Sequence, residues 1–100
     1  MKHYTGDRTI DGIQVLVDGT PLDQRTDLKA YSKNGFEWSY EGPEPAQLAF
    51  ALLMDHLGDA QRAEALHEAF MREVVANFDN TWELTSADID ANVAALSRAL

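Results

Sequence analysis

Cysteine is missing from the chain, and that one absence removes a disulfide framework, a thiolate metal site and a cysteine nucleophile. A reducing compartment suits such a chain, and the cytoplasm is the expected location. Basic side chains are few. Lys2, Arg8, Arg25, Lys29, Lys33, Arg62, Arg72 and Arg98 are the whole set, too scattered for the stripe that phosphate contacts require, so direct binding of DNA or RNA is disfavoured. Long apolar runs are missing as well: residues Met1 to Arg8 lack the apolar core of a signal peptide, and no stretch reaches the roughly 18 apolar residues of a membrane span. Glycine-rich phosphate loops are absent, and Ser32, Ser39, Ser86 and Ser97 stand in no Gly-x-Ser-x-Gly elbow. Five of the six glycines, Gly12, Gly19, Gly35, Gly42 and Gly58, fall at expected turns or helix ends. The 17 acidic residues allow so many carboxylate pairs that no one pair points to acid–base catalysis. Neither an enzyme nor a cofactor is expected.

What is present suits one α+β domain over residues 1–100. At 100 residues and 45% hydrophobic composition, the chain can build a single core. Residues 1–42 read as mainly β. Ile13, Val15 and Val17 alternate and run into Asp18-Gly19, a hairpin pair, with a short return strand through Thr20, Pro21 and Leu22 that suits an edge because Pro21 cannot donate. After the turn signal Ser32-Lys33-Asn34-Gly35, the alternation of Phe36, Trp38 and Tyr40 with Glu37, Ser39 and Glu41 predicts an aromatic strand. Its aromatic face is assigned to the core rather than to base stacking, since Glu37 and Glu41 would repel phosphate.

Residues 43–100 read as mainly helical. Pro45 suits a first helical turn, and residues 46–57 are apolar on nearly every side, the pattern of a central buried helix that Gly58 stops. Asp59 caps a second helix expected to reach about Phe78, with Ala63, Leu66, Phe70, Val74 and Phe78 on one stripe. Asp79-Asn80 reads as a turn and Trp82-Glu83-Leu84 as a short strand, with residues 81–84 an optional addition to the sheet of the first 42 residues. Thr85-Ser86-Ala87-Asp88 has the form of a capping box, opening a third helix with Ile89, Val93, Leu96 and Leu100 along its buried side. The expected architecture is a small antiparallel sheet, an N-terminal hairpin plus the aromatic strand, packed against three helices.

Charge is the most informative functional signal. Residues 1–42 hold five basic and seven acidic side chains, net −2, whereas residues 43–100 hold three basic and ten acidic, net −7. Helix starts account for Glu44, Asp59, Asp88 and Asp90. Glu64 and Glu68 form a like-charge pair at four-residue spacing, offset in part by Glu68 preceding Arg72. With Glu73 they are the candidate partner-binding residues: an acidic face that meets a basic groove on another protein. Solubility alone is the competing account of the same charge. His56 and His67 lie on successive helices without a third ligand at diagnostic spacing, so no metal site is expected.

Five segments, Tyr4-x-Gly6-Asp7-Arg8, Val15-x-Val17-Asp18-Gly19-x-Pro21-Leu22, Gly35-Phe36-Glu37-Trp38-x-Tyr40-x-Gly42, Pro45-Ala46-Gln47-Leu48-Ala49-x-Ala51-Leu52-Leu53 and Trp82-x-Leu84-Thr85, carry a resemblance over nearly the whole chain. They resemble an uncharacterised family of small proteins, a domain of unknown function found in bacteria, archaea, phages and mobile elements. The resemblance implies a fold and a genomic setting, and no catalytic residues. That setting implies a concrete expectation, a non-enzymatic protein-binding module of the anti-CRISPR type. Its carboxylates would imitate DNA phosphates on the nucleic-acid surface of a bacterial defence complex, such as a CRISPR effector, in the host cytoplasm. A monomer or small homo-oligomer is expected. The alternative reading is a small-molecule or metal-binding accessory domain.

Overall fold

The computed structural model describes residues 1–99. The chain forms β1 (His3–Thr9), β2 (Gly12–Val17), β3 (Thr20–Pro21), α1 (Pro43–Leu57), α2 (Ala60–Glu73), a 3-10 turn (Val75–Asn77), β4 (Trp82–Thr85) and α3 (Ser86–Ala99). All strand pairs are antiparallel, in the order β3-β2-β1-β4. This is an α+β fold with the helices on one face of the sheet. No helix among the described residues is long and apolar enough to cross a membrane.

The local signals act where their chemistry requires. Asp18 and Gly19 take the positive φ angles, 49° and 82°, of the hairpin turn between β2 and β3. Gly58 ends α1 in the left-handed conformation at φ 67°, its N–H donating to the Met54 carbonyl. Asp59 accepts the Arg62 N–H at 3.2 Å and opens α2. The capping box is reciprocal: Thr85 Oγ1 accepts the Asp88 N–H at 3.1 Å, and Asp88 Oδ2 accepts the Thr85 N–H at 3.0 Å. Helix α1 is the centre of the core, with Leu48 through Leu53 all at zero exposure.

Three expectations are corrected. First, residues 36–40 form no strand. The Trp38 N–H donates to the Glu37 carboxylate and the Ser39 N–H to the Val75 carbonyl, and Ser39 sits at φ 77°, so the backbone is turned away from any ladder. Trp38 alone of the three aromatics is fully buried, Phe36 is half-buried and Tyr40 exposed. Second, β1, where no strand was expected, joins the sheet between β2 and β4 in place of the aromatic segment. Third, α2 stops at Glu73 and tightens into the 3-10 turn, so Val75 is buried in place of Val74. The return strand also shortens to Thr20–Pro21, with Leu22 donating its N–H to the Val15 carbonyl at 3.0 Å. Leu100, expected on the α3 stripe, lies outside the described residues.

One side chain ties the irregular segment to the sheet. The Arg8 guanidinium lies 4.7 Å from the Trp38 ring centre and donates to Glu37 Oε1 at 2.7 Å, to the Trp38 carbonyl at 2.8 Å and to Asn80 Oδ1 at 2.5 Å. Trp38 meets Trp82 edge to face at 5.8 Å, and Phe78 stacks on Trp82 at 4.3 Å.

Candidate functional site

A helix turns about 100° per residue, so Glu64 and Glu68 share one side of α2 while Glu73 points to another. The two neighbours are exposed and carry cations. Glu64 accepts from Lys29 Nζ at 3.1 Å, and this carboxylate holds the Lys29 ammonium above its ordinary value. Glu68 pairs with Arg72, which also reaches Glu41 at 3.6 Å. The Arg72 pairing follows from spacing. The Lys29 pairing crosses 35 positions of sequence and has no local signal. Exposed pairs of this kind add little stability, but they weaken the field that a basic partner would meet there. Glu73 and Asp79 have no cation within ion-pair distance among the described residues. Glu73, the last residue of α2, and Asp79 beyond it thus place two uncompensated carboxylates near the C-terminal end of that helix.

The histidines are engaged elsewhere. His56 on α1 contacts Asp90 Oδ1 on α3 at 2.5 Å. His67 Nδ1 faces the Glu64 carbonyl at 2.6 Å, and its ring stacks on Tyr31 at 4.2 Å. Among the described residues no three side chains of the His, Cys, Asp or Glu type converge on one point.

Two polar clusters inside the domain hold structure. Gln47 is fully buried, and its amide reaches back to the irregular segment before α1. Tyr4 is fully buried as well, and its hydroxyl donates to Asp55 Oδ2 at 2.7 Å, an oxygen that also takes Lys2 Nζ at 3.1 Å. Burial, and then the bond to Asp55, pushes the Tyr4 hydroxyl well above the ordinary tyrosine range. The folded state thus favours the protonated phenol. Its contribution is complete below the unfolded tyrosine pKa of about 10 and is lost as pH rises beyond it. Urea unfolding between about pH 8 and pH 11 should show falling stability at the alkaline end. Tyr4→Phe should cost about 1–2 kcal/mol at neutral pH and flatten that fall. An unchanged alkaline slope in the variant would assign the fall to other groups.

Two kinds of recess lie near the sheet. A pocket of about 140 Å³ sits between Leu22, Asp23, Arg25, Ala51 and Asp55. A trough runs along the outer edge of β2, with adjoining volumes of about 280 and 440 Å³, walled on its far side by Gln24, Asn34, Gly35 and Phe36. The sequence reading missed the trough, although Pro21 was its signal: a return strand broken at its second residue leaves the rest of β2 uncovered.

Among known proteins, no curated protein and no solved structure matches the chain. The family model of DUF6166 matches residues 4–95, which takes in every strand but the first residue of β1, and all of α3 but its last turn. The chain therefore belongs to this family, a family of unknown function.

Proposed function

We propose that the protein is a small non-enzymatic protein-binding module that presents an acidic surface to a partner with a basic one. The observation that carries this reading is the concentration of charge in the helical half, net −7 over residues 43–100. Glu73 and Asp79 contribute to it without a cation at ion-pair distance among the described residues. The polar groups that could have served chemistry support the same reading, because Arg8, Gln47 and Asp55 are bound up in contacts that hold the fold. In its concrete form the partner is a nucleic-acid-binding defence complex of the CRISPR effector type. The module, encoded by a phage or mobile element, would occupy the DNA surface of that complex in the host cytoplasm.

The test is retention of partners from host lysate on the immobilised protein at low and at raised salt, with the retained proteins identified by mass spectrometry. A nucleic-acid-binding complex should be held at low salt and released at higher salt. Glu73→Lys/Asp79→Lys should reduce retention more than Glu64→Lys/Glu68→Lys, because Glu64 and Glu68 are already paired with Lys29 and Arg72 and the first pair is not. Equal retention by both variants, each checked for folding by circular dichroism, would overturn the acidic-surface reading. A small molecule carried through purification would instead favour an accessory domain built on the pocket beside Asp55.

A further inference from the structure

We propose that the outer edge of β2 takes up an extended peptide segment of a partner protein, uncharged along its middle and basic at its ends, as an added antiparallel strand. This surface is separate from the acidic one, and the proposal stands without it.

The backbone geometry comes first. The Asp18 N–H donates to the His3 carbonyl at 2.8 Å, which makes His3 and Asp18 a hydrogen-bonded pair. By alternation along the register, Leu16, Gln14 and Gly12 then bond to β1, while Val17, Val15 and Ile13 turn their backbone groups outward. The bond from the Leu22 N–H to the Val15 carbonyl agrees with this assignment. Beyond Leu22 the chain leaves the sheet. Asp23 Oδ1 accepts the Arg25 N–H at 2.8 Å, and Arg25 adopts φ 56°. The outward N–H and C=O of Ile13, and the N–H of Val15, have no backbone partner among the described residues.

The surroundings fit a single strand. Sheet edges in monomeric proteins are commonly guarded by lysine, inward charge or a covering element. Here Gly12, Ile13, Gln14 and Val15 carry no charge, Ile13 is 39% exposed, and Ile10 at the hairpin tip is fully exposed. Across the trough stand Gln24, Asn34, Gly35 and Phe36. The two amide side chains can bond the far edge of an added strand, and Phe36 offers an apolar surface to its inward side chains. A second copy of this chain fits poorly, because it would bring its own 34–36 wall into the same space. Charge then selects the segment. The lining of the trough is neutral. Asp11 flanks one end and Asp23 the other, neither within ion-pair distance of a cation among the described residues. Lys or Arg at the peptide ends complements both.

The probe is the peptide acetyl-Lys-Val-Thr-Val-Thr-Val-Lys-amide, titrated into the isotope-labelled full chain and followed by backbone amide NMR. Shifts should concentrate at residues 12–15, 24 and 34–36, and the Ile13 N–H should gain protection from exchange. An antiparallel strand whose valines face inward turns the valine N–H groups toward β2. N-methylation of the valines should therefore weaken binding about tenfold or more, while N-methylation of the threonines should leave most of it. A peptide with Glu in place of both Lys should bind more weakly, and the difference should shrink as salt rises. The proposal is overturned by an absence of shifts at millimolar peptide, by shifts centred elsewhere, or by equal binding of the two N-methylated peptides. Shifts at residues 12–15 that depend on protein concentration alone would assign the edge to a second copy instead.

Discussion

Gln47→Leu is expected to lower the melting temperature by about 15 °C, which corresponds to about 3 kcal/mol for a domain of this size. The side chain is fully buried, and its hydrogen-bonding capacity is fully used. Its Oε1 accepts the N–H groups of Tyr31 at 2.7 Å and Ser32 at 3.1 Å, and its Nε2 donates to the carbonyls of Gln24 at 2.7 Å and Lys29 at 2.9 Å. Residues 22–42 contain no helix or strand, an uncommonly long irregular stretch for a compact domain. One amide thus performs for the segment what a ladder does for a strand. Leucine has a similar volume and fills the site, so the loss isolates the polar bonds from cavity formation. Trypsin should also cut faster at Arg25, Lys29 and Lys33 in the variant, because the segment opens before the domain unfolds. A melting temperature within a few degrees of wild type would show that water replaces the amide at little cost.

The second large effect is expected from the smallest substitution. Gly6→Ala should destabilise by about 3 kcal/mol, the upper part of the range for overpacking. Gly6 pairs directly with Trp82 across β1 and β4, and a Cβ built on it would lie 2.2 Å from the indole. The indole has no room to retreat. Phe78 stacks on it at 4.3 Å, Trp38 abuts it at 5.8 Å, and its backbone is fixed in the ladder. Gly6 is not among the positive-φ glycines, so alanine would otherwise stabilise slightly by restricting the unfolded chain. The sign of the change therefore reports the clash. In a Trp82→Leu background the same substitution should cost at least about 1 kcal/mol less, a coupling that thermal melts of the four proteins would read. Additive losses would place the cost elsewhere than in the indole contact.

These two residues also show what could be read from the sequence. Features set within four or five residues were legible: the Asp18-Gly19 turn, the stop at Gly58, the cap at Asp59 and the Thr85–Asp88 box each use a side chain or φ angle that acts on its near neighbours. The apolar run of α1 was legible as a buried helix for the same reason. The aromatic alternation at 36–40 misled because alternation reports which side chains are large and apolar. It does not report where the backbone N–H groups go, and here Glu37 and Val75 take them. Strand β1 was hidden because its inward positions are Tyr4, Gly6 and Arg8. Two of those are shaped by partners 30 and more positions away, Trp82 for the glycine and Trp38 for the arginine. Of the acidic candidates, Glu64 and Glu68 do share a face, but Lys29 reaches Glu64 only through the folded loop, so the distribution of bare charge had to come from the structure.

The order of the strands also sets a schedule for folding. β4 pairs with β1, and Ser86 donates its N–H to the Lys2 carbonyl at 3.0 Å, so the first ordered residues are closed by a segment more than 70 positions later. On the ribosome, β1 and β2 can form a hairpin early, but Tyr4 and Gly6 must wait for Leu84 and Trp82 to emerge before their second edge is paired. Neither half is a natural fragment. Ending the chain before residue 82 would leave the edge of β1 open beside a core deprived of its second tryptophan, and such a product is a target for proteolysis and aggregation rather than a smaller working domain.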